Sequence, residues 1–143
     1  MYLPGFANPP YSVISHSKLF VFSSVFEGFG HSVIEAMACG VPVLSTDCNY
    51  GPREIISPLN DISKKANRVE IGEYGFLVPA FGDDDIDCTS SISALEKQMG
   101  ETMADIIDGT TPYDQIVEKG MKYVERFDNS EYARQWIEVM RSI

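Results

Sequence analysis

Two short runs of strand-forming residues, separated by one amphipathic helical segment, constrain the fold of this chain most strongly. Leu19–Ser24 and Val41–Thr46 are continuous apolar runs of the kind that form strands buried on both faces. Between them, residues 31–39 place Val33, Ile34 and Met37 on one side of a helix. Strand, helix and strand in this order predict a βαβ unit, and therefore parallel pairing of the two strands.

The pattern extends this unit into a single α/β domain over residues 1–143. Residues 1–80 alternate between strands and helices, with a third strand at Gly75–Pro79 and an irregular stretch over Ser57–Tyr74. Met1–Phe6 is interpreted as the end of a fourth strand. Asn8 and Pro9 predict an N-cap and first turn for a helix over Tyr11–Lys18, and Pro52 predicts another helix start. Residues 88–143 carry apolar residues at helical spacing and form a helical tail.

Charge and cysteine content exclude several classes of partner. Eleven Lys and Arg residues against 21 Asp and Glu residues give a net charge of -10, which disfavours nucleic acid and anionic membranes as partners. Cys39, Cys48 and Cys88 have neither metal-binding nor disulfide-framework spacing, so we expect buried, reduced thiols. No apolar segment is long enough to span a membrane, and the sequence shows no secretory signal, so we expect a cytoplasmic protein.

The segment Phe26–Gly40 has the pattern of a phosphate-binding turn. Gly28, Phe29 and Gly30 follow the first strand, and the amides of Gly30, His31 and Ser32 lie at the predicted helix start. Helix-start amides, together with the positive end of the helix dipole, bind anions. A glycine-rich turn in front of a helix is also common as a purely structural feature.

Two carboxylates flank this turn. Glu27 precedes it, and Glu35 lies about one helical turn after the helix start, away from the centre of the apolar stripe. A carboxylate accepts two hydrogen bonds from a vicinal diol, which is the group that ribose and hexoses present. The pair therefore favours a sugar-containing ligand.

A dinucleotide-binding fingerprint is the main alternative. Gly28 and Gly30 follow a strand, and Asp47 ends the next strand at about the expected distance. The position of the third glycine is Val33, however, and Val25–Glu27 separates the strand from the first glycine, so the fingerprint is incomplete. The chain also lacks the G-K-[ST] of a P-loop.

The same segment resembles the E-x7-E region of retaining, GT-B-fold nucleotide-sugar glycosyltransferases, known as family 4 or group 1. Glu27 and Glu35 are separated by seven residues and followed by Ala36–Val43. Further matches, in the family's order, are Leu3–Phe6, Leu19–Ser24, Asp47–Ile55 and Gly75–Pro79. The resemblance implies a partial Rossmann-like parallel sheet, the C-terminal lobe of a GT-B fold, followed by C-terminal helices.

The resemblance also implies a role for each site residue. Glu35 is expected to bind the ribose hydroxyls, and Glu27 is expected beside the donor sugar as the catalytic candidate. The main chain of the turn is expected to contact the sugar and the diphosphate, and the first segment is expected to line the base pocket. The implied donor-binding residues are Gly28, Phe29, Gly30, His31, Ser32, Glu35, Pro4, Gly5 and Phe6.

The implied reaction moves a sugar from a UDP-, GDP- or ADP-sugar to a glycan or lipid-linked acceptor with retention. A GPRE-like segment at Gly51–Glu54 favours bacterial surface polysaccharides, such as capsule or lipopolysaccharide, as products. No cofactor or metal is expected, and the carboxylates Asp83, Asp84, Asp85 and Asp87 are interpreted as a solvated loop.

The family's acceptor-binding domain and its upstream diphosphate-binding Arg and Lys have no counterpart in these residues. Arg53 and Lys18 are the cations considered as replacements. We therefore expect an inactive donor-binding half that self-associates through apolar surfaces around Trp136, and a full-length enzyme that is peripheral at the inner membrane face. A noncatalytic nucleotide-sugar-binding fragment and a GT-B-like nucleotide-sugar epimerase remain alternatives.

Overall fold

A mixed sheet, mostly parallel, lies at the centre of the fold. The computed structural model describes residues 3, 5–82, 91–111 and 113–141, with only the backbone at position 132. Its strands are β1 (Phe20–Phe22), β2 (Val43–Thr46), β3 (Glu70–Ile71) and β4 (Phe76–Val78), in the order β1-β2-β4-β3. The pairs β1·β2 and β2·β4 are parallel, whereas β3 is antiparallel to β4.

Helices cover both faces of this sheet. They are α1 (Tyr11–Ile14), α2 (His31–Ala38), α3 (Pro52–Ile56), α4 (Ala94–Ile107), α5 (Asp114–Val124) and α6 (Asn129–Arg141), with a 3-10 turn over Glu125–Phe127. Successive residues of a strand point to opposite faces, and Val43 and Leu44 of the buried strand β2 accordingly join two different core clusters. One cluster contains residues of α2, α3 and α5, and the other contains Met99 and Ile106 of α4.

This arrangement confirms the predicted α/β class, the strands at 19–24, 41–46 and 75–79, and the helices between and after them. The long stretch 57–74 is not wholly irregular, because it contains β3. Among the described residues of the first segment, Leu3, Gly5 and Phe6 lie in no strand. Gly5 has a φ of 83°, which is incompatible with an extended strand.

The first helix is shorter than predicted. It begins at Tyr11 with Pro10 at the cap position, so the predicted Asn8 cap is wrong, and it ends at Ile14 instead of Lys18. The hydroxyl of Ser17 donates to the carbonyl of Val13 at 3.1 Å, and a ring nitrogen of His16 lies 2.7 Å from the carbonyl of Ser12. Such local side-chain bonds to the backbone compete with continued helix.

The C-terminal helices confirm the helical spacing predicted for residues 88–143, within the part of that range that the structure describes. Tyr123 and Phe127 pack against the core, whereas Trp136 on α6 is 54% exposed. The predicted self-association through this surface stays a prediction. In the part of the chain that the structure describes, no helix is long and apolar enough to cross a membrane.

Candidate functional site

The loops that follow β1 and β2 meet at one edge of the sheet because the two strands are parallel. The hydroxyl of Thr46, at the end of β2, donates to the carbonyl of Ser24 and, at 3.3 Å, to that of Phe22. Further along, Phe26 and Asn49 form an isolated parallel bridge. The two loops are therefore joined by backbone contacts at the carboxyl edge, where ligands bind in open α/β sheets.

The turn between β1 and α2 ends in a helix start with outward amides. Gly30 is buried, has a φ of 87° and caps α2, which is a conformation that favours glycine. The amide of Val33 donates to the carbonyl of Gly30 at 3.0 Å. His31 and Ser32 occupy the first two helical positions, whose amides have no intrahelical acceptor. The structure thus has the helix-start geometry that binds anions.

Gly51 in the second loop holds this turn in place. Its φ is 96°, and a Cβ at this position would lie 1.9 Å from the carbonyl oxygen of Phe29. Its amide points to the Oε1 of Glu54 at 3.4 Å. Only a glycine allows the two loops to approach each other so closely.

Glu27 is half-buried at this edge and accepts a hydrogen bond from the hydroxyl of Ser24 at 2.6 Å. No Lys or Arg side chain among the described residues forms an ion pair with it. One carboxylate oxygen is therefore oriented by Ser24, and the other retains its acceptor capacity for a ligand.

Glu35 lines a cavity of about 610 Å³ beside the start of α2. Phe29 and Phe127 form an aromatic wall of this cavity, with ring centroids 5.8 Å apart, and the ring of His31 lies 5.4 Å from that of Phe29. His31 and Glu35 are four residues apart on α2 and share one helix face. The remaining lining residues are Ile34 and Asn129.

Asn129 and Phe127 were not predicted as cavity residues. Nothing in the sequence pattern brings Phe127 or Asn129, the first residue of α6, to α2. The predicted Gly5 and Phe6 instead line a separate cavity of about 390 Å³ with residues 7, 8, 10, 13 and 14. The structure does not bring them to Glu35, and Pro4 lies outside the described residues.

Asp47 has a structural role, which removes the basis of the dinucleotide alternative. It is 1% exposed and binds Arg53 through Nε at 2.9 Å and through a terminal nitrogen at 2.6 Å. It also accepts a hydrogen bond from the amide of Ala66 at 2.6 Å. Burial alone would lower the pKa of Arg53, but the hydrogen bonds that its guanidinium donates to the carboxylates of Asp47 and Glu70 raise it. The carboxylate of Asp47 is buried against Arg53 and is therefore not accessible to a ribose.

The two cations considered for the diphosphate are therefore wrong. Arg53 is 5% exposed and engaged by Asp47 and Glu70. Lys18 precedes β1 and thus lies at the amino end of the sheet, opposite the site. Lys65 lies at the correct edge instead, where its Nζ donates to the carbonyl of Cys48 at 3.1 Å. Lys65 lies in residues 57–74, which were predicted to be irregular, so the sequence pattern gave no indication of where its side chain would be.

The thiol of Cys48 and the acidic side chains were also considered as reactive or metal-binding groups. Burial raises the pKa of the Cys48 thiol, which therefore stays neutral. Cys88 lies outside the described residues, as do Asp83, Asp84, Asp85 and Asp87. Within the described ranges, no group of three or more His, Cys, Asp or Glu side chains is arranged to hold a metal ion.

The chain is similar in sequence to known glycosyltransferases. Residues 2–78 match the family described as "Glycosyl transferases group 1". An uncharacterized glycosyltransferase, MJ1059 of Methanocaldococcus jannaschii, is 34% identical over 143 residues, which cover 95% of this chain and 34% of that protein. A poly(ribitol-phosphate) alpha-N-acetylglucosaminyltransferase of Staphylococcus aureus is 39% identical over 112 residues, which cover 68% of this chain and 22% of that protein.

Solved structures of similar fold include Alr3699/HepE of Anabaena, determined in complex with UDP. Its TM-score is 0.69 at 21% identity, and the match covers 96% of this chain and 31% of that chain. Such structural neighbours are GT-B glycosyltransferases. The chain thus spans about a third, or less, of the length of the proteins it matches.

Proposed function

The chain belongs to the glycosyl transferases group 1 family, and we propose that it supplies the donor-binding half of an enzyme that transfers a sugar from a nucleoside-diphosphate sugar with retention. The acceptor in this proposal is a glycan or a lipid-linked glycan. The observation that carries the proposal is the placement of Glu35, in a cavity, one helical turn after the outward amides of α2.

The spacing along α2 suits a nucleoside diphosphate. Four residues of helix rise by about 6 Å, which is comparable to the separation between a ribose diol and the diphosphate of one nucleotide. A diphosphate on the amides of His31 and Ser32 therefore leaves the ribose near Glu35. The aromatic wall formed by Phe29 and Phe127 offers an apolar surface to the same ligand.

Charge develops on the departing diphosphate during transfer. Amides fixed at a helix start stabilise this charge without reorganisation, which lowers the barrier. Glu27, oriented by Ser24 at the mouth of the turn, is proposed to accept hydrogen bonds from the sugar hydroxyls. Lys65 is proposed as a cation near the same edge. Retention is supported by the resemblance of the E-x7-E region to retaining enzymes.

The proposed product is a bacterial surface polymer. Support comes from the relative in Staphylococcus aureus, whose name specifies a poly(ribitol-phosphate) acceptor. A UDP-sugar is the first donor to test, because a structure of the same fold was determined with UDP. The configuration of the new glycosidic bond, compared by NMR with that of the donor, tests retention in an enzyme that contains this chain and an acceptor-binding domain.

The direct test is calorimetric titration of the chain with UDP, GDP and ADP, in the wild type and in Glu35→Gln. Glutamine keeps the shape but replaces one acceptor with a donor, and a charge-assisted hydrogen bond contributes about 1.5–3 kcal/mol. Nucleotide affinity should therefore fall on the order of tenfold or more. Stability should barely change, because Glu35 is partly exposed and lies outside the core clusters.

Glu101→Gln is the matched control. Glu101 is an exposed glutamate in the middle of α4, and its carboxylate lies 3.9 Å from Lys97. This change should leave nucleotide affinity unaltered. Equal affinity of the wild type and Glu35→Gln would reject Glu35 as the ribose ligand.

A further inference from the structure

Two aromatic side chains are exposed side by side at the carboxyl edge of the sheet. Phe26 is 68% exposed and Tyr50 is 63% exposed. Their ring centroids lie 6.0 Å apart with an interplanar angle of 81°. Phe26 directly precedes Glu27, and Tyr50 directly precedes Gly51, which contacts the carbonyl of Phe29. The pair therefore borders the proposed donor site.

The backbone holds this pair in a fixed position. Phe26 pairs with Asn49 in a parallel bridge, so both rings are carried on joined segments. Tyr50 has a φ of 63° and is the non-glycine residue with positive φ among the described residues. An aromatic residue is unusual in the left-handed region, and such backbone states persist where the surroundings impose them, often at functional sites.

The geometry of the pair suits a flat ligand with one apolar face. Two nearly perpendicular rings form a corner, in which a ligand that stacks on one ring meets the edge of the other. A pyranose has axial C–H groups on its faces and hydroxyls around its rim. Its face can cover an exposed ring, which removes apolar surface from water, while the hydroxyls around its rim remain free to form hydrogen bonds.

We propose that Phe26 and Tyr50 form a stacking platform for a pyranose ring, either the transferred sugar of the donor or the terminal sugar of the acceptor, and that this platform contributes to sugar specificity. The platform rests on the proposed function, because it serves the reaction assigned to that edge. Neither side chain is among the residues implied by the family resemblance.

The test follows the ring protons of Phe26 and Tyr50 by NMR while the chain is titrated with methyl α-D-glucopyranoside, methyl α-D-galactopyranoside or N-acetylglucosamine. UDP and UDP-glucose are titrated in parallel, with the amides of His31 and Ser32 as the second readout. We expect millimolar saccharide to shift both rings, and Phe26→Ala with Tyr50→Ala to weaken saccharide binding on the order of tenfold. Leu59→Ala, at a residue 79% exposed on another loop, is the control and should have no effect.

Tyr50→Gly separates the platform from folding. Glycine adopts the positive φ without strain, so this variant should unfold at the same temperature as the wild type or higher, and yet lose saccharide contacts. If the alanine variants lower affinity for UDP-glucose but not for UDP, the platform binds the donor sugar. If they lower affinity only for the free saccharides, it binds the acceptor.

The two proposals fail in distinguishable ways. If UDP shifts the α2 amides but no saccharide shifts either ring, and the alanine variants bind UDP-glucose like the wild type, the platform is overturned while the proposed function stands. If saccharides shift both rings but no nucleotide binds, the platform is upheld and the donor-binding proposal falls.

Discussion

Glu27 and Asp47 are carboxylates that follow neighbouring parallel strands, yet their surroundings differ. Asp47 is buried, with oxygens engaged by Arg53 and by the amide of Ala66. Glu27 is half-buried and accepts one side-chain hydrogen bond, from Ser24. Both positions lie where ligands bind in this fold class, but only Glu27 retains acceptor capacity.

We propose that burial and pairing decide whether a carboxylate at the sheet edge stabilises the fold or is available to a ligand. A buried, paired carboxylate orders the surrounding loops, and its removal leaves a charge behind. A partly solvated carboxylate has a small effect on folding and a large one on binding. The following variants test this distinction.

The largest effect is expected for Asp47→Asn. This change leaves the buried guanidinium of Arg53 with Glu70 alone, whose side chain is 37% exposed. Breaking a buried pair from one side costs about 3–5 kcal/mol, and we expect about 3 kcal/mol because Glu70 remains. Urea denaturation measures the change. A loss below about 1 kcal/mol would contradict the structural role.

Gly51→Ala should have the next largest effect, because it places a Cβ 1.9 Å from the carbonyl oxygen of Phe29. Positive φ and the clash together should cost about 2 kcal/mol. The displaced turn should also weaken UDP binding. Gly109→Ala is the matched control, since Gly109 also has a positive φ, of 72°, but its Cβ would meet nothing within 4 Å. Equal UDP affinity in the Gly51 and Gly109 variants would contradict the contact between the loops.

Glu27→Gln makes the same charge-neutralising change as Asp47→Asn, at the other strand end. We expect the free energy of unfolding to stay within about 0.5 kcal/mol of the wild type, because Gln still accepts from Ser24. In an enzyme that contains this chain and an acceptor-binding domain, sugar transfer should fall at least tenfold, the equivalent of one charge-assisted hydrogen bond of about 1.5–3 kcal/mol. Unimpaired transfer would remove Glu27 from the site.

The smallest effect concerns an exposed carboxylate on α6. Hydrogen bonds from Arg134 and Gln135 lower the pKa of Glu131 from 4.5 to about 2. A lowered folded-state pKa stabilises the native state above the unfolded pKa, and this contribution is lost as the pH falls from 4.5 towards 2. Circular dichroism should show a slight loss of helix in this window that Glu131→Gln abolishes. If Glu131→Gln loses helix with falling pH in the same way as the wild type does, the hydrogen bonds to Glu131 contribute nothing to stability.

Much of the fold could be predicted because the spacing of apolar residues along the chain indicates most of its strands and helices. The buried runs around β1 and β2, the apolar stripe of α2 and the spacing in α4 to α6 all match the elements observed. Residues 57–74 could not be predicted, since β3 has two residues and is held by pairing with β4 and by the bond between Arg53 and Glu70. Contacts distant along the chain leave no local pattern.

The candidate site divides in the same way. The outward amides at Gly30–Ser32 and the position of Glu35 follow from a turn and a helix, so sequence alone located them. Arg53 was considered as a ligand cation because the sequence gives its residue type but does not reveal its burial. Phe127 and Asn129 reach Glu35 only through the packing of the C-terminal helices, which no local spacing specifies.

The short helix α3 joins the two regions that this comparison separates. Gly51, immediately before it, touches the turn that is proposed to receive the diphosphate, and Arg53 within it anchors Asp47. A movement of Phe29 therefore acts on Gly51 and, through α3, on the buried ion pair between Arg53 and Asp47. The ion pair either prevents this movement or shifts with it. We infer that occupancy of the turn is detectable as slower amide hydrogen exchange in α3.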